Sequence, residues 1–208
     1  MNKADSVTDN DLIYVNDHTN EIYFNSSVTK KSMASLSKEL LKLQDKLLKK
    51  TKTLKRKYKE IDGTDDESIV YTIEPKPIKL FITSPGGLVY QAFMVIDTML
   101  SMKVPVHTVC KGMVASAGTL ISLAGKKRFI TEHSYMLIHQ ISSGMWGKFA
   151  EMKDDYDNCK NLMDDIKKYY IKRTKMTGEE LDIQLKQDIS WNATTCLEKG
   201  LVDEIITY

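Results

Sequence analysis

The 208-residue chain is poor in cysteine, in long apolar runs and in net charge, and each scarcity excludes something. Its three cysteines, Cys110, Cys159 and Cys196, show no C-x-x-C spacing. An odd count, with no apolar leader after Met1-Asn2-Lys3-Ala4-Asp5, argues against a disulfide framework and for a reducing, cytoplasmic setting. The most apolar stretch, Met113 to Gly125, has 13 residues. That is short of the ~20 that span a bilayer, so no membrane segment is expected. Thirty basic residues against 28 acidic leave a net of +2, which makes no global case for nucleic acid. His18, His107, His133 and the cysteines fall into no ligand spacing, so no metal is expected. There is no internal repeat and no G-x-x-x-x-G-K-[ST] loop for nucleotide phosphates.

What is present suits one globular domain: 42% apolar and 28% charged residues, in a chain long enough for a sizeable core. Residues 1–20, rich in Asn and Asp, read as a mobile start, and 21–208 as the domain. Glu21-Ile22-Tyr23-Phe24 reads as a short strand, with Ser27 or Thr29 placed to cap a helix after it. In that helix Leu36, Leu40, Leu43, Leu47 and Leu54 form a heptad-like seam. Lys38 to Lys59 holds ten basic and two acidic residues, a local +8 that leaves −6 for the remainder. Strands are expected at Ser68 to Ile73, Ile78 to Thr83, Val104 to Cys110 (broken by Gly112), Arg128-Phe129-Ile130 and Met136 to His139. Helices are expected to Leu100, to about Leu123 and over Met145 to Lys175, with Thr177 capping a short one after that. Strands alternating with helices indicate an α/β fold with crossover connections. Met94, Met99, Met136, Met152 and Met163 fall at core-like spacings and read as packing residues.

Candidate chemistry is thinly marked. Ser116, in Val114-Ala115-Ser116-Ala117-Gly118, follows a strand and stands near a helix start; taken alone, the pentapeptide reads first as small residues allowing close packing. His139 ends an apolar strand, where a histidine is commonly structural, and Asp188 alone is a surface carboxylate. Ser84-Pro85-Gly86-Gly87 is either a turn or a segment whose backbone N–H groups face a ligand. Together the four supply nucleophile, base, orienter and oxyanion donors. A G-x-S-x-G elbow is absent, which disfavours an ordinary lipase or esterase.

On Phe81 to Gly87, Gly112 to Gly118, Met136 to Gln140 and Glu198 to Asp203, the chain resembles the ClpP peptidases, self-compartmentalising serine proteases. The resemblance covers roughly residues 78–206, more weakly Glu21 to Leu43. It implies a crotonase-like stack of ββα units, with Ser116 as nucleophile, His139 as base and Asp188 as orienter. It further implies an oxyanion hole from the N–H groups of Gly87 and Ala117. Extended peptide would lie beside Gly86, Leu88 and Val89 and beside a handle strand, Ser143-Gly144-Met145, in a handle at about 142–175. The implied partners are copies of itself in heptameric rings, stacked as a tetradecamer, unfolded protein substrates, and an AAA+ unfoldase such as a ClpX- or ClpA/C-like ATPase. No cofactor is expected in this chain; ATP hydrolysis would come from that partner.

Departures from the family pattern are specific. Ile141 stands where a proline usually follows His-Gln, and Ala124 to Arg128 is shorter by about two residues. The family's N-terminal hairpin and Tyr-rich helix are not recognisable before Glu21, and about 47–77 reads as an insertion lengthening the first helix. A shortened member with an insertion fits a phage or other viral copy. Two other classes compete: a non-catalytic or activator-dependent ring subunit with the same fold, and an acyl-CoA enzyme of the crotonase superfamily. The basic helix would touch nucleic acid, an anionic surface or an acidic partner, or would simply be solvated with its leucines packed on a neighbouring subunit. With Tyr58 as the sole aromatic among its lysines, nucleic acid is disfavoured.

Overall fold

The computed structural model describes residues 13–16, 18–62 and 74–207, with backbone alone for 53–62. The expected strand at 68–73, most of the expected mobile start, Leu54 and much of the expected insertion lie outside the described residues or side chains.

The strands are β1 (Ile13–Asn16), β2 (Glu21–Asn25), β3 (Ile78–Ser84), β4 (Val106–Ala115), β5 (Arg128–Thr131), β6 (Tyr135–Leu137), β7 (Trp191–Asn192) and β8 (Glu204–Ile206). The helices are α1 (Lys30–Asp62), α2 (Val89–Ser101), α3 (Ala117–Leu123), α4 (Phe149–Arg173), α5 (Gly178–Gln184) and α6 (Ala193–Glu198). Six strands lie in the order β1-β2-β3-β4-β5-β8, antiparallel at β1/β2 and parallel from β2 onward. β4 serves two partners in turn: Thr108–Cys110 pairs with β5, and Met113–Ala115 with β6. Gly112, at φ +68, sits between these halves, so the strand bends there and continues rather than ending as expected from the sequence.

Alternation along the strands assigns the two faces. Ile22, Phe24, Ile78, Leu80, Ile82, Val106 and Ile130 turn inward under α1, α2 and α3. Tyr23, Phe81, Val109 and Phe129 share one register row on the opposite face, where Tyr23 stacks on Phe81 at 4.6 Å. Thr29 caps α1, its Oγ1 accepting from the N–H of Ser32 at 3.1 Å. The seam of Leu36, Leu40, Leu43 and Leu47 is buried in the chain's own core, not reserved for a neighbouring subunit. Each such leucine contributes about 1.5–3 kcal/mol. Gln44 Oε1 accepts from the N–H of Lys103 at 2.7 Å where α1 crosses the α2–β4 link.

α4 starts at Phe149, four residues later than expected. Gly147 at φ +147 breaks the chain direction, and the Glu151 carboxylate accepts from the N–H of Lys148 at 2.9 Å, which fixes the first turn. Residues 149–158 are exposed, whereas Ile166 and Tyr170 further along are buried. Met152 is exposed with that first half, and Met94 lies on the outer side of α2, so neither is a core residue; Met99 and Met136 are. The predicted handle strand at Ser143-Gly144-Met145 is irregular here, since no described strand lies beside it to pair.

Candidate active site

Ser116 is the single residue between β4 and α3, and it holds φ 53, ψ −126, a conformation rare outside glycine. Three bonds hold it there. Its N–H donates to Leu137 O of β6 at 2.8 Å, and its carbonyl accepts from the N–H of Thr119 at 2.9 Å and from Thr119 Oγ1 at 2.6 Å. That hydroxyl has one proton, already given to Ser116, so Thr119 Oγ1 accepts from the Tyr170 hydroxyl of α4. The strand–turn–helix elbow thus exists without its usual glycine-flanked signature.

The diglycine is shaped by close approach. A Cβ on Gly86 would meet Ser116 Cβ at 2.5 Å and Ala117 N at 3.0 Å, and one on Gly87 would meet Val28 O at 2.3 Å. Val28 donates to Gly86 O at 2.7 Å and accepts from Leu88 N–H at 2.8 Å. In such a parallel bridge Gly87 turns its own N–H and C=O away from Val28. Ala117 opens α3, where the N–H has no partner within the helix. Ser84, which opens the diglycine segment, is buried and braces the turn: its Oγ donates to Ser26 O at 2.6 Å and accepts from the N–H of Gly86 at 3.2 Å.

His139 leaves the sheet two residues beyond β6, whose parallel pairing of Leu137 with Ala115 puts it at the same end as Ser116. Gln140 N–H donates to Leu185 O at 2.8 Å and ties this segment to the end of α5. From there Asp188 returns, with Oδ1 3.0 Å from His139 Nδ1 across 49 residues of sequence. The imidazole is 29% exposed and the carboxylate 81%. A proton on Nδ1 shared with Asp188 leaves Nε2 as the free acceptor. No hydrogen bond joins Ser116 Oγ to His139 in this structure. Burial pushes the Cys110 and Cys196 thiols up to about 12, so neither is a thiolate nucleophile at neutral pH.

A cleft of about 640 Å³ opens beside the diglycine. Of the predicted substrate contacts, Leu88, Val89, Ser143 and Gly144 line it together with Gly87; Gly86 is spent against Ser116, and Met145 is not among the lining residues. The opposite wall was not foreseen: Ile141 and Ser142, then Asp155, Asn158, Cys159 and Leu162 of α4. Their spacing, one face of a helix, was the available signal. Among the described residues no three His, Cys, Asp or Glu side chains form a metal-binding group, and no helix is long and apolar enough to cross a membrane.

Fold and site define an α/β protein with a strained serine elbow and a histidine–aspartate pair at one end of its parallel strands. The model of the Clp protease family matches residues 68–208. The ATP-dependent Clp protease proteolytic subunit 2 of Synechococcus sp. (strain CC9605) is 35% identical over 133 residues, covering 63% of this chain and 68% of that protein. The chain therefore belongs to the Clp protease family and is a peptidase, a hydrolase with the family's crotonase-like fold.

Proposed function

We propose that the chain is a serine endopeptidase subunit that cleaves peptides and unfolded polypeptides through an acyl-enzyme, inside an oligomeric chamber. The observation that carries this is the Asp188–His139 pair, set at the strand ends where Ser116 is held in its strained turn. Ser116 Oγ attacks the scissile carbonyl carbon and its proton passes to His139 Nε2. The N–H groups of Gly87 and Ala117 receive the oxyanion. The C–N bond breaks as His139 returns the proton to the leaving amine. Water then gives one proton to His139 and its oxygen to the acyl carbon. The C–Oγ ester bond breaks as His139 returns that proton to Ser116, and the released acid ionises to a carboxylate, giving its proton to solvent. Asp188 orients the imidazole and stabilises its charged form.

Trp146 just before α4 and Phe149 at its start, 97% and 82% exposed, support assembly through this end of the handle into rings, heptameric and stacked as in the family. Membership of the Clp protease family supports an AAA+ ATPase of the ClpX or ClpA/C kind as the source of unfolding work, and the proposed setting is the cytoplasm. A second reading, an activator-dependent or non-catalytic assembly subunit, is favoured by the missing Ser116–His139 hydrogen bond.

The test is hydrolysis of fluorogenic peptides by wild type and Ser116→Ala, each fractionated by size. Activity that elutes with an oligomer and vanishes in the variant is expected. A well-formed oligomer with no activity would give the second reading precedence.

A further inference from the structure

The wall that α4 lends to the cleft changes character along one helical face. Leu162 is half-buried and packs on the core, Cys159 is half-buried, and Asn158 and Asp155 are exposed. Asp155 is the sole charged residue lining the cleft, and it makes no hydrogen bond or ion pair with another described residue. The cleft is therefore apolar at one end and anionic at the other, with no cation lining it to neutralise the carboxylate.

We propose that this cleft selects a lysine or arginine side chain of the substrate, with Asp155 as the specificity-determining residue; the proposal rests on the peptidase reading above. A long cationic side chain matches both ends of the gradient. Its methylenes bury against Val89, Cys159 and Leu162, and its charge reaches the carboxylate. An uncharged side chain of the same length gains the apolar contact alone, and an acidic one meets a like charge. Because Asp155 is exposed, the pair is screened, and the preference for lysine over its uncharged analogue is expected to be about fivefold in kcat/KM.

The experiment uses internally quenched peptides differing at one position, scanned across the cleavage site with lysine, norleucine or glutamate. Wild type, Asp155→Asn, Asp155→Glu and Ser116→Ala are compared. One position is expected to show the fivefold lysine-to-norleucine ratio in wild type and in Asp155→Glu, and a ratio near one in Asp155→Asn. A ratio that survives in Asp155→Asn, or no position preferring lysine in a wild type whose cleavage is lost in Ser116→Ala, overturns the inference and leaves the peptidase reading standing. Wild type that cleaves no peptide, or cleavage that persists in Ser116→Ala, removes the reading and the inference with it.

Discussion

Gly86 backs directly onto Ser116: a Cβ on the glycine would stand 2.5 Å from the Cβ of the serine, far inside any real contact. The two residues belong to different crossover units, yet neither can move without the other. Gly86→Ala is therefore expected to displace the elbow and lower kcat/KM by 10²-fold or more, since about 1 Å of misplacement is enough for that. Gly112→Ala is the contrast. Gly112 also has positive φ, but the nearest atom to an added Cβ would be the Thr83 side chain at 3.7 Å, with no contact to Ser116. That variant should melt about 2–4 °C lower while keeping activity within about twofold.

Asp188 touches His139 and is otherwise exposed, so its removal separates chemistry from folding. Asp188→Asn is expected to lower kcat by about 10³–10⁴ through loss of the imidazole's orientation and charge balance. Its Tm should stay within about 1 °C of wild type, as for other surface substitutions. A parallel loss of Tm would show instead that Asp188 holds the α5 loop.

Arg128 and Asp203 pair across the β5–β8 edge, with the guanidinium also donating to Arg173 O at 2.6 Å and Gly200 O at 2.9 Å. Burial alone would raise the Asp203 carboxyl, but the hydrogen bonds and charge of Arg128 outweigh it and hold the group below its ordinary value. The pair thus stabilises the fold above about pH 4 and ceases to as the pH falls through the lowered folded value. The carboxylate is 41% exposed, so screening limits the effect. Asp203→Asn should melt about 2–4 °C below wild type near pH 6, and the gap should close as the pH falls below the lowered folded value. Melting curves across that range check the sign.

The thiols differ in the same way as their surroundings. Cys110 and Cys196 are buried and pushed up to about 12, while Cys159 is half-buried on the cleft wall. A disulfide reagent at neutral pH is expected to modify Cys159 in the native protein and all three cysteines after denaturation. Native labelling of Cys110 would contradict the described core.

Local pattern carried much of the fold. Ile78 to Thr83 reads as a buried strand because its apolar residues have nowhere else to go, and Thr177 reads as a cap because Glu180 stands three residues on. Tertiary geometry was harder to read. Gly112 looked like an ending because one strand pairing with two successive partners leaves no local trace. Ile13 and Val15 were hidden by the polar residues around β1, whose strand character comes from pairing with β2. Met94 and Met152 sit at core spacing on faces that this chain leaves uncovered. For the site, residue types in chain order pointed to Ser116, His139 and Asp188, whereas Ser84, Thr119 and Asp155 act through placement alone.

The elbow also means that this protein is not as durable as its own scaffold allows. A side chain held at φ 53, ψ −126 costs on the order of 1–3 kcal/mol, which glycine would not incur. Ser116→Gly should therefore yield an inert protein that outlasts the working one, melting several degrees higher. Drift toward sturdiness at this position would be drift away from chemistry, and a collection of stabilised variants selected by heat alone would be expected to lose its serine early.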